Sequence, residues 1–311
     1  MNIKTAVCVI GTGTMGSSTA AAFAAAGFPV FLRGRNAESA ERGFERARAA
    51  IAVLGDNNLL DQTTEETLSL VTPCTSLPEA VRSASFIVES APEDLDLKRA
   101  FYSEVEDHCS DHAILASNTS GLLPTALAAG LRRPERFVVT HFWNPAHLLP
   151  LVEVCPGEKT SGETAHRAMD ILVAAGKQPV LLDREAEGFI GNRLQFALLR
   201  EAFHIVESGV ASMEAVDSVV RSSIGRRLLD TGPFESADMG GLDVFASIAS
   251  YLFKDLSNAS AVPSALREAV ASGNFGAKTG RGLAPWTPEK RRSLEEKRTA
   301  TLIGCMKRDR T

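Results

Sequence analysis

The sequence predicts an α/β domain followed by an all-α domain, and three observations support this prediction. Up to about Leu182, short apolar runs rich in valine and isoleucine alternate with helical stretches, as a parallel sheet covered by helices requires. After Glu187 the strand signals end, and apolar residues recur three to four positions apart, as they do in helices. The chain of 311 residues is also longer than one hydrophobic core usually serves. We therefore expect two domains, residues 1–185 and residues 186–311.

The predicted strands are the short apolar runs of the first domain, namely Ala6–Ile10, Val30–Arg33, Phe86–Glu89, Ala113–Ala116, Phe137–Thr140, Leu151–Val154 and Val180–Leu182. Helical stretches separate most of them. In the second domain, helices are predicted for the segments RLQFALLREAFHIVESG, MEAVDSVVRSSIG and GLDVFASIASYLFKDL. Each of these segments has a glycine near one end, where helices commonly begin or stop.

The composition is that of a soluble globular protein, with 44% hydrophobic and 23% charged residues. A net charge of −5 indicates no basic surface for nucleic acid. No apolar run approaches the roughly 20 residues that a membrane span needs. The N-terminal residues enter a predicted core strand at once, without a cleavable signal region, so we expect a cytoplasmic protein. The cysteines are widely spaced and form no C-x-x-C pair, which predicts reduced thiols and no metal site.

A glycine pattern follows the first predicted strand. Gly11, Gly13 and Gly16 have the spacing G-x-G-x-x-G, and an alanine-rich helix and a second strand come next. Such glycines permit a tight turn and close approach to a pyrophosphate, and the helix N-terminus supplies free N–H groups. In this context the pattern predicts a Rossmann-like domain that binds a dinucleotide, with Thr14 and Met15 in the same loop. A purely structural glycine turn is the alternative.

The stretch VFLRGRN ends the second strand, where NAD-binding proteins usually have a carboxylate for the ribose 2′-hydroxyl. Gly34 occupies that position, between Arg33 and Arg35. NADPH has a phosphate on the same oxygen, and arginine forms charge-assisted hydrogen bonds with phosphate. The stretch therefore predicts that NADP(H) is preferred, with NAD(H) possible. The alternative is that both arginines are solvated and that Asn36 or Ser39 holds an unphosphorylated ribose.

Further motifs lie along both predicted domains: EDLDLK (Glu93–Lys98), ASNTSGL (Ala116–Leu122), HFWNPAHLLPLVEV (His141–Val154), EGFIGNRLQ (Glu187–Gln195), TGPFE (Thr231–Glu235) and FGAKTGRG (Phe275–Gly282). In these motifs the chain resembles the 3-hydroxyacyl-CoA dehydrogenase family over nearly its whole length. The resemblance implies a Rossmann-like N-terminal domain and a helical C-terminal domain used for dimerisation. It also implies an L-3-hydroxyacyl dehydrogenase activity with a site in the cleft between the domains, and thus a homodimer with a small-molecule substrate.

The resemblance also assigns individual residues. Four match active-site positions of the family: Ser120, His141, Glu153 and Asn192. Three are assigned to the cofactor, the first two on its nicotinamide side: Glu93, Lys98 and Asn118.

The chemistry of these residues can also be argued without the resemblance. Oxidation of a secondary alcohol needs a base for the hydroxyl proton, and histidine titrates near neutral pH. His141 follows a predicted strand, so its ring can project from the carboxyl end of the sheet, and Glu153 on the next strand can orient the imidazole. Ser120 and Asn192 would form hydrogen bonds around the substrate's 3-oxygen and the nicotinamide carboxamide. Taken singly, each of these residues could instead have an ordinary structural role.

The substrate stays open at this point. An L-3-hydroxyacyl-CoA is the first expectation, yet the stretch from Glu38 to Glu66, lysine-rich in CoA-using members of the family, has only acidic charges after Arg48. The segment GRRLLDTGPFE resembles the branch that contains L-gulonate 3-dehydrogenase, lambda-crystallin and carnitine dehydrogenase. There the substrate is a small free 3-hydroxy acid, and Arg227 would hold its carboxylate. Trp143 would suit a bulky ketone or a cyclic imine, and a non-catalytic dinucleotide-binding protein is the alternative of another class.

Overall fold

A computed structural model describes the chain from Thr5 to Arg310, and it divides into two compact units. One unit contains the chain up to Ile190 together with the chain from Leu294 onward. The other unit is Gly191–Ser293. The first has the α/β character and the second the all-helical character that the sequence predicts. No helix within the described residues is long and apolar enough to cross a membrane.

The first unit is built on one eight-stranded sheet in the order β3-β2-β1-β4-β5-β6-β7-β8. Every neighbouring pair is parallel except β6 and β7, which are antiparallel. This confirms the predicted Rossmann-like fold. The strands are β1 (Ala6–Ile10), β2 (Val30–Arg33), β3 (Val71–Cys74), β4 (Ala84–Glu89), β5 (Ile114–Ser117), β6 (Phe137–Phe142), β7 (Leu151–Pro156) and β8 (Gln178–Leu181).

Two strands differ from the prediction in ways that matter for the site. β3 was not predicted, because its sequence VTPC contains a proline and has exposed residues at Thr72 and Pro73. Such a strand is tolerated at a sheet edge, which is where β3 lies. β6 extends beyond Thr140 to Phe142, so His141 lies inside a strand and not after one.

Helices cover both faces of the sheet because alternate strand residues point to opposite sides. Val7 and Val9 belong to one core cluster with residues of α1, α2 and α7. Cys8 and Ile10 belong to another, with residues of α4 and α5. The helices of this unit are α1 (Thr14–Ala25), α2 (Ala37–Asp56), α3 (Thr64–Ser69), α4 (Leu77–Arg82), α5 (Leu95–Glu106), α6 (Pro124–Leu127) and α7 (Gly162–Ala174), with a 3₁₀ turn at Pro134–Arg136.

The second unit is helical throughout and has almost no core of its own. Between Gly191 and Ser293 only Phe203 is buried. Its helices are α8 (Gly191–Glu207), α9 (Met213–Ser222), α10 (Ile224–Arg227), α11 (Pro233–Gly240), α12 (Leu242–Leu252) and α13 (Ser264–Ala271), with a 3₁₀ turn at Ala277–Thr279.

The last helix, α14 (Pro288–Arg308), begins in the second unit, and its residues from Leu294 onward belong to the first. The sequence analysis had given the whole chain after residue 185 to the helical domain. The structure differs because Ile303 packs against Leu54, Leu59 and Leu148 of the first unit. Just after the helix, Nη2 of Arg310 donates to the Leu59 carbonyl over 2.7 Å.

Candidate active site

The glycine loop lies at the carboxyl end of β1, where the strand order reverses between β1 and β4. Gly11 has φ +108°, and an added Cβ would lie 2.5 Å from the Ser90 carbonyl oxygen. A Cβ on Gly16 would lie 1.9 Å from the Gly11 carbonyl oxygen, whereas one on Gly13 would meet nothing within 4 Å. Two glycines are thus required by packing, and the third leaves open space at the start of α1. Thr14 and Met15 begin that helix, whose first turn has no side-chain cap.

This loop fits a dinucleotide pyrophosphate. Its helix N-terminus presents backbone N–H groups that no side chain caps, and the open space beside Gly13 allows a ligand to approach the backbone closely. A switch point in the strand order is also where open α/β sheets bind their ligands.

The residues after β2 explain why a glycine stands between the two arginines. A Cβ on Gly34 would lie 2.5 Å from the backbone nitrogen of Ala40 in α2, so a carboxylate at position 34 would require the helix to shift. Asn36 and Ser39 form a reciprocal capping box at the start of α2, with Ser39 N donating to Asn36 Oδ1 over 2.9 Å. Arg35 is exposed and lies just beyond the strand.

Arg33 is held loosely at the end of β2. Its Nε lies 3.4 Å from the Thr75 carbonyl oxygen, and its guanidinium lies 6.0 Å from the centre of the Phe101 ring. The side chain is half-buried and reaches solvent, so both arginines bring positive charge to the position that the sequence analysis assigns to the cofactor's ribose.

A buried histidine–glutamate pair spans β6 and β7. The antiparallel register sets His141 directly opposite Glu153, and His141 Nδ1 lies 2.8 Å from Glu153 Oε2. Only 5% of His141 and 1% of Glu153 are exposed. A base held by a carboxylate through its other ring nitrogen is the arrangement that general-base catalysis uses, because the carboxylate fixes the tautomer and stabilises the imidazolium.

The turn before α8 completes this cluster. Gly188 and Phe189 both have left-handed backbone conformations, with φ of +73° and +51°. This conformation is unfavourable for a bulky residue, and here the buried Phe189 ring packs 5.4 Å from the His141 ring. The same turn directs the Ile190 N–H to Glu153 Oε1 over 2.8 Å. The motif EGFIGN therefore supplies both an aromatic contact for the histidine and a donor for its carboxylate.

Glu93 and Ser120 lie together at the ends of β4 and β5. Glu93 Oε1 accepts the backbone N–H of Ser120 over 3.1 Å and the hydroxyl of Thr119. Lys98 is 1% exposed, and its Nζ lies 3.6 Å from Glu93 Oε2. Glu93 and Lys98 thus shape the loop that presents the exposed Ser120.

Sequence reasoning missed the buried carboxylate below this loop. Glu89 Oε1 lies 2.6 Å from Lys98 Nζ, and its Oε2 accepts the Ser117 hydroxyl over 2.9 Å and the Tyr102 hydroxyl. Burial, followed by the nearby Glu89 charge, raises the pKa of Tyr102 well above its ordinary value, so it stays a donor. The available signal was an acidic residue ending the apolar run SFIVE.

Asn118 joins the carboxyl ends of three strands. Its backbone N–H donates to the Glu89 carbonyl over 2.8 Å, and its Nδ2 lies 3.1 Å from Ser90 Oγ. Its Oδ1 accepts the backbone N–H of Phe142 over 2.8 Å. The sequence analysis assigned Asn118 to the cofactor, and the structure shows its amide engaged in holding the glycine-loop side of the sheet to the strand of His141.

The loop between β6 and β7, residues 143–150, is anchored by a buried lysine and a half-buried histidine. Lys177 Nζ donates to the carbonyl oxygens of Ala146 and Leu149, and burial lowers its pKa to about 8. His147 Nδ1 lies 2.8 Å from Ser18 Oγ in α1, and burial, assisted by the charge of Lys177, lowers the pKa of His147 to about 4. A cavity of about 320 Å³ opens beside His147 between this loop, α1 and α2.

Two sequence-predicted residues lie in the second unit. Asn192 is half-buried in the first turn of α8, and Arg227 is exposed at the end of α10.

Trp143 lies in the first unit, beside the histidine. It is half-buried directly after β6, with its ring centre 5.5 Å from that of His141.

The chain matches known proteins over most of its length. Residues 6–186 match the family model described as 3-hydroxyacyl-CoA dehydrogenase, NAD binding domain. Residues 188–286 match the model described as 3-hydroxyacyl-CoA dehydrogenase, C-terminal domain. Among curated relatives, 5-formyl-3-hydroxy-2-methylpyridine 4-carboxylate 5-dehydrogenase of Mesorhizobium japonicum is 34% identical over 307 residues, which is 96% of each chain. L-carnitine dehydrogenase of Oceanobacillus iheyensis is 36% identical over 235 residues, 76% of each chain.

A similar solved structure is that of a 5-formyl-3-hydroxy-2-methylpyridine 4-carboxylic acid 5-dehydrogenase, described as an NAD⁺-dependent dismutase. It has a TM-score of 0.90 and 34% sequence identity, and the match covers 97% of both chains.

Two alanine substitutions in the glycine loop should affect different properties, one the stability of the fold and the other dinucleotide binding. Gly16→Ala should lower the free energy of unfolding by about 1–3 kcal/mol, because its methyl would overlap the Gly11 carbonyl. Gly13→Ala should leave stability unchanged and weaken dinucleotide binding, because its methyl fills only the open space where a pyrophosphate would approach. Urea unfolding and calorimetric titration with NADPH and NADH would measure both. Unchanged dinucleotide affinity in a folded Gly13→Ala protein would contradict this account of the loop.

Proposed function

Because the chain belongs to the 3-hydroxyacyl-CoA dehydrogenase family, we propose that it transfers hydride between a nicotinamide dinucleotide and the hydroxyl-bearing carbon of a small free carboxylic acid. The observation that carries the proposal is the buried contact between His141 Nδ1 and Glu153 Oε2. A purely dinucleotide-binding protein has no need of such a base and its orienting carboxylate.

In the oxidative direction, His141 Nε2 takes the proton of the substrate hydroxyl while hydride leaves the same carbon and the carbonyl forms. The glycine loop would hold the oxidised nicotinamide dinucleotide, which would supply the acceptor for this hydride. Glu153 keeps the Nδ1 proton in place and stabilises the imidazolium, which later releases its proton to solvent. In the reductive direction the imidazolium returns that proton to the developing alkoxide.

The other assigned residues serve this step by holding the reacting groups. Ser120 and Asn192 would form hydrogen bonds to the substrate oxygen and the nicotinamide carboxamide. Glu93 and Lys98 maintain the loop of Ser120 on the nicotinamide side, which their contacts in the structure support. Arg227 binds the carboxylate of the substrate, a role that suits an exposed guanidinium in the helical unit.

The surroundings of α2 support a free acid over a CoA thioester. In CoA-using members of the family, the stretch after the second strand supplies basic charge for the phosphates of CoA. Here the end of α2 is covered by α14, and a cavity of about 440 Å³ at Asn57 is lined by Glu295 and Glu296. Phosphates placed there would be repelled by these two carboxylates. The similarity to enzymes named for a pyridine carboxylate and for carnitine supports the same substrate class.

A substrate panel tests this proposal together with the base. Acetoacetyl-CoA, free 3-keto acids and cyclic imines would each be assayed with NADPH and NADH. We expect turnover of free acids and none of acetoacetyl-CoA. His141→Ala should lower kcat by about 10²–10⁴-fold, with dinucleotide affinity nearly unchanged.

Each outcome of the panel has a distinct meaning. A higher kcat/KM for acetoacetyl-CoA would replace the free acid by the thioester and leave the reaction type standing. Turnover of cyclic imines alone would favour an imine reductase. Substantial activity in His141→Ala would refute its role as the base, and bound cofactor with no hydride transfer to any substrate would favour the non-catalytic alternative.

NADP(H) as the preferred cofactor is the second part of the proposal. It is supported by the absence of a carboxylate at Gly34, by the two arginines that reach solvent beside it, and by the capping box that occupies Asn36 and Ser39. The solved relative is described as NAD⁺-dependent, so the comparison of both cofactors is needed.

Removing either arginine should therefore affect the two cofactors unequally. Arg33→Ala and Arg35→Ala should each lower kcat/KM for NADPH by about tenfold or more and change the NADH value little, because one charge-assisted hydrogen bond contributes about 1.5–3 kcal/mol. Arg167→Ala is the matched control, since α7 contacts strands at the other end of the sheet from β2. A clear preference of the unmodified enzyme for NADH would reject the assignment.

A homodimer formed through the helical unit is the third part. This unit buries only Phe203, while large apolar side chains on two of its helices are exposed: Leu194, Phe196, Leu198 and Leu199 on α8, and Leu242, Val244, Phe245, Ile248, Tyr251 and Leu252 on α12. Helices of this length need an apolar partner to be stable in water, and a second copy of the chain supplies an identical apolar surface.

Light scattering coupled to size exclusion should therefore give twice the mass of one chain. Phe196→Glu and Tyr251→Glu should shift the protein toward the monomer and reduce its helical circular dichroism, because the exposed apolar surface loses its cover. Val173→Glu in α7 introduces the same charge at an exposed apolar residue of the first unit and should leave the dimer intact. A monomeric unmodified protein with full helical content would overturn the assignment.

A further inference from the structure

Trp143 contacts the same carboxylate as the histidine. Its indole Nε1 donates to Glu153 Oε2 over 3.1 Å, and His141 Nδ1 lies 2.8 Å from that same oxygen. The indole and imidazole rings lie with their centres 5.5 Å apart at 58°. The sequence analysis considered Trp143 only as a residue that would suit a bulky ketone or a cyclic imine, which is the role of a flat wall beside the substrate.

We propose that Trp143 is a positioning residue that shares Glu153 Oε2 with His141 and thereby limits how strongly the carboxylate holds the imidazolium. This inference rests on the proposed role of His141 as the base. It adds a requirement for the indole N–H itself, which a wall for the substrate would not need.

The electrostatic argument follows from burial. Glu153 is 1% exposed, so its charge is compensated by donors within the protein. Among them are the N–H of Ile190 on Oε1 and those of Trp143 and His141 on Oε2. Of these three donors only His141 can become a cation. A neutral N–H on the shared oxygen takes up part of the carboxylate's hydrogen-bonding capacity, so the imidazolium gains less from Glu153. The imidazole then remains available as a base at lower pH.

The loop that follows Trp143 is anchored by hydrogen bonds to residues outside the site. Residue 144 begins the stretch that Lys177 anchors through the carbonyl oxygens of Ala146 and Leu149, and His147 is anchored to Ser18. The backbone that follows Trp143 is therefore fixed by contacts outside the site.

The neighbouring titratable groups leave a clear window for a test. Burial and the charges of Glu185 and Glu153 raise the pKa of Cys155 in β7 to about 12. The pKa of His147 lies at about 4 and that of Lys177 at about 8. Glu185, whose charge also acts on Cys155, accepts the backbone N–H of Thr125 over 2.9 Å. The titrations of His147 and Lys177 therefore lie outside the range between about pH 5 and pH 7.

The decisive variant is Trp143→Phe, which keeps an aromatic ring and removes the donor. The midpoint of the acid limb of kcat/KM should rise by roughly half to one pH unit, the size expected for one neutral hydrogen bond. Trp286→Phe is the matched control, since it removes the other tryptophan of the chain from a position in the helical unit beside Lys290. Its midpoint should equal that of the unmodified enzyme.

A second measurement does not depend on turnover. The proton NMR resonance of the His141 ring, identified by its loss in His141→Ala, should titrate at a higher midpoint in Trp143→Phe than in the unmodified protein. Equal midpoints in both measurements, with only KM or kcat altered, would overturn the inference and leave Trp143 as a wall. Failure of the proposed function is distinguishable, because it would appear as retained turnover in His141→Ala.

Discussion

The antiparallel pairing of β6 and β7 is the constraint on which the candidate site depends. A parallel neighbour needs a crossover connection of about a dozen residues or more, and only residues 143–150 separate these two strands. The short loop therefore reverses the chain and places His141 directly opposite Glu153. Strand alternation puts both side chains on the sheet face of Val139 and Cys155, which is the face covered by α4 and α5. A change of register by one residue would move one partner to the other face.

Two buried carboxylates on strands of the sheet, Glu89 and Glu153, have different surroundings and different proposed uses. Glu89 is paired with a lysine and accepts hydrogen bonds from hydroxyl groups. Its charge is therefore balanced within a fixed network that shapes the loop of Ser120. Glu153 is paired with a histidine, whose ring gains a positive charge when it takes up a proton. A buried ion pair adds little net stability, because desolvation offsets the attraction. We infer that the first network is retained for geometry and the second for chemistry.

Much of the sheet could be predicted from sequence because its buried strands are continuous runs of valine, isoleucine and phenylalanine. β3 could not, since a proline at a sheet edge looks like a loop when its partner strand is unknown. The motif residues His141 and Glu153 were found, although their direct opposition depends on a register that only the folded sheet reveals. The donor role of Trp143 and the network of Glu89, Lys98 and Tyr102 depend on side-chain directions, which no local pattern contains. The placement of α14 was missed for a similar reason: its sequence is mostly charged, and its few apolar residues match a surface on α2 far away in the chain.

That helix has a consequence for how the protein is made. Because Ile303 covers Leu54 and Leu59, the apolar end of α2 stays uncovered during synthesis until Ile303 has left the ribosome. The α/β unit can form its sheet earlier, yet it is complete only after the residues of α14 from Leu294 onward have been synthesised. A nascent chain thus passes through an interval in which this apolar surface is open to chaperones.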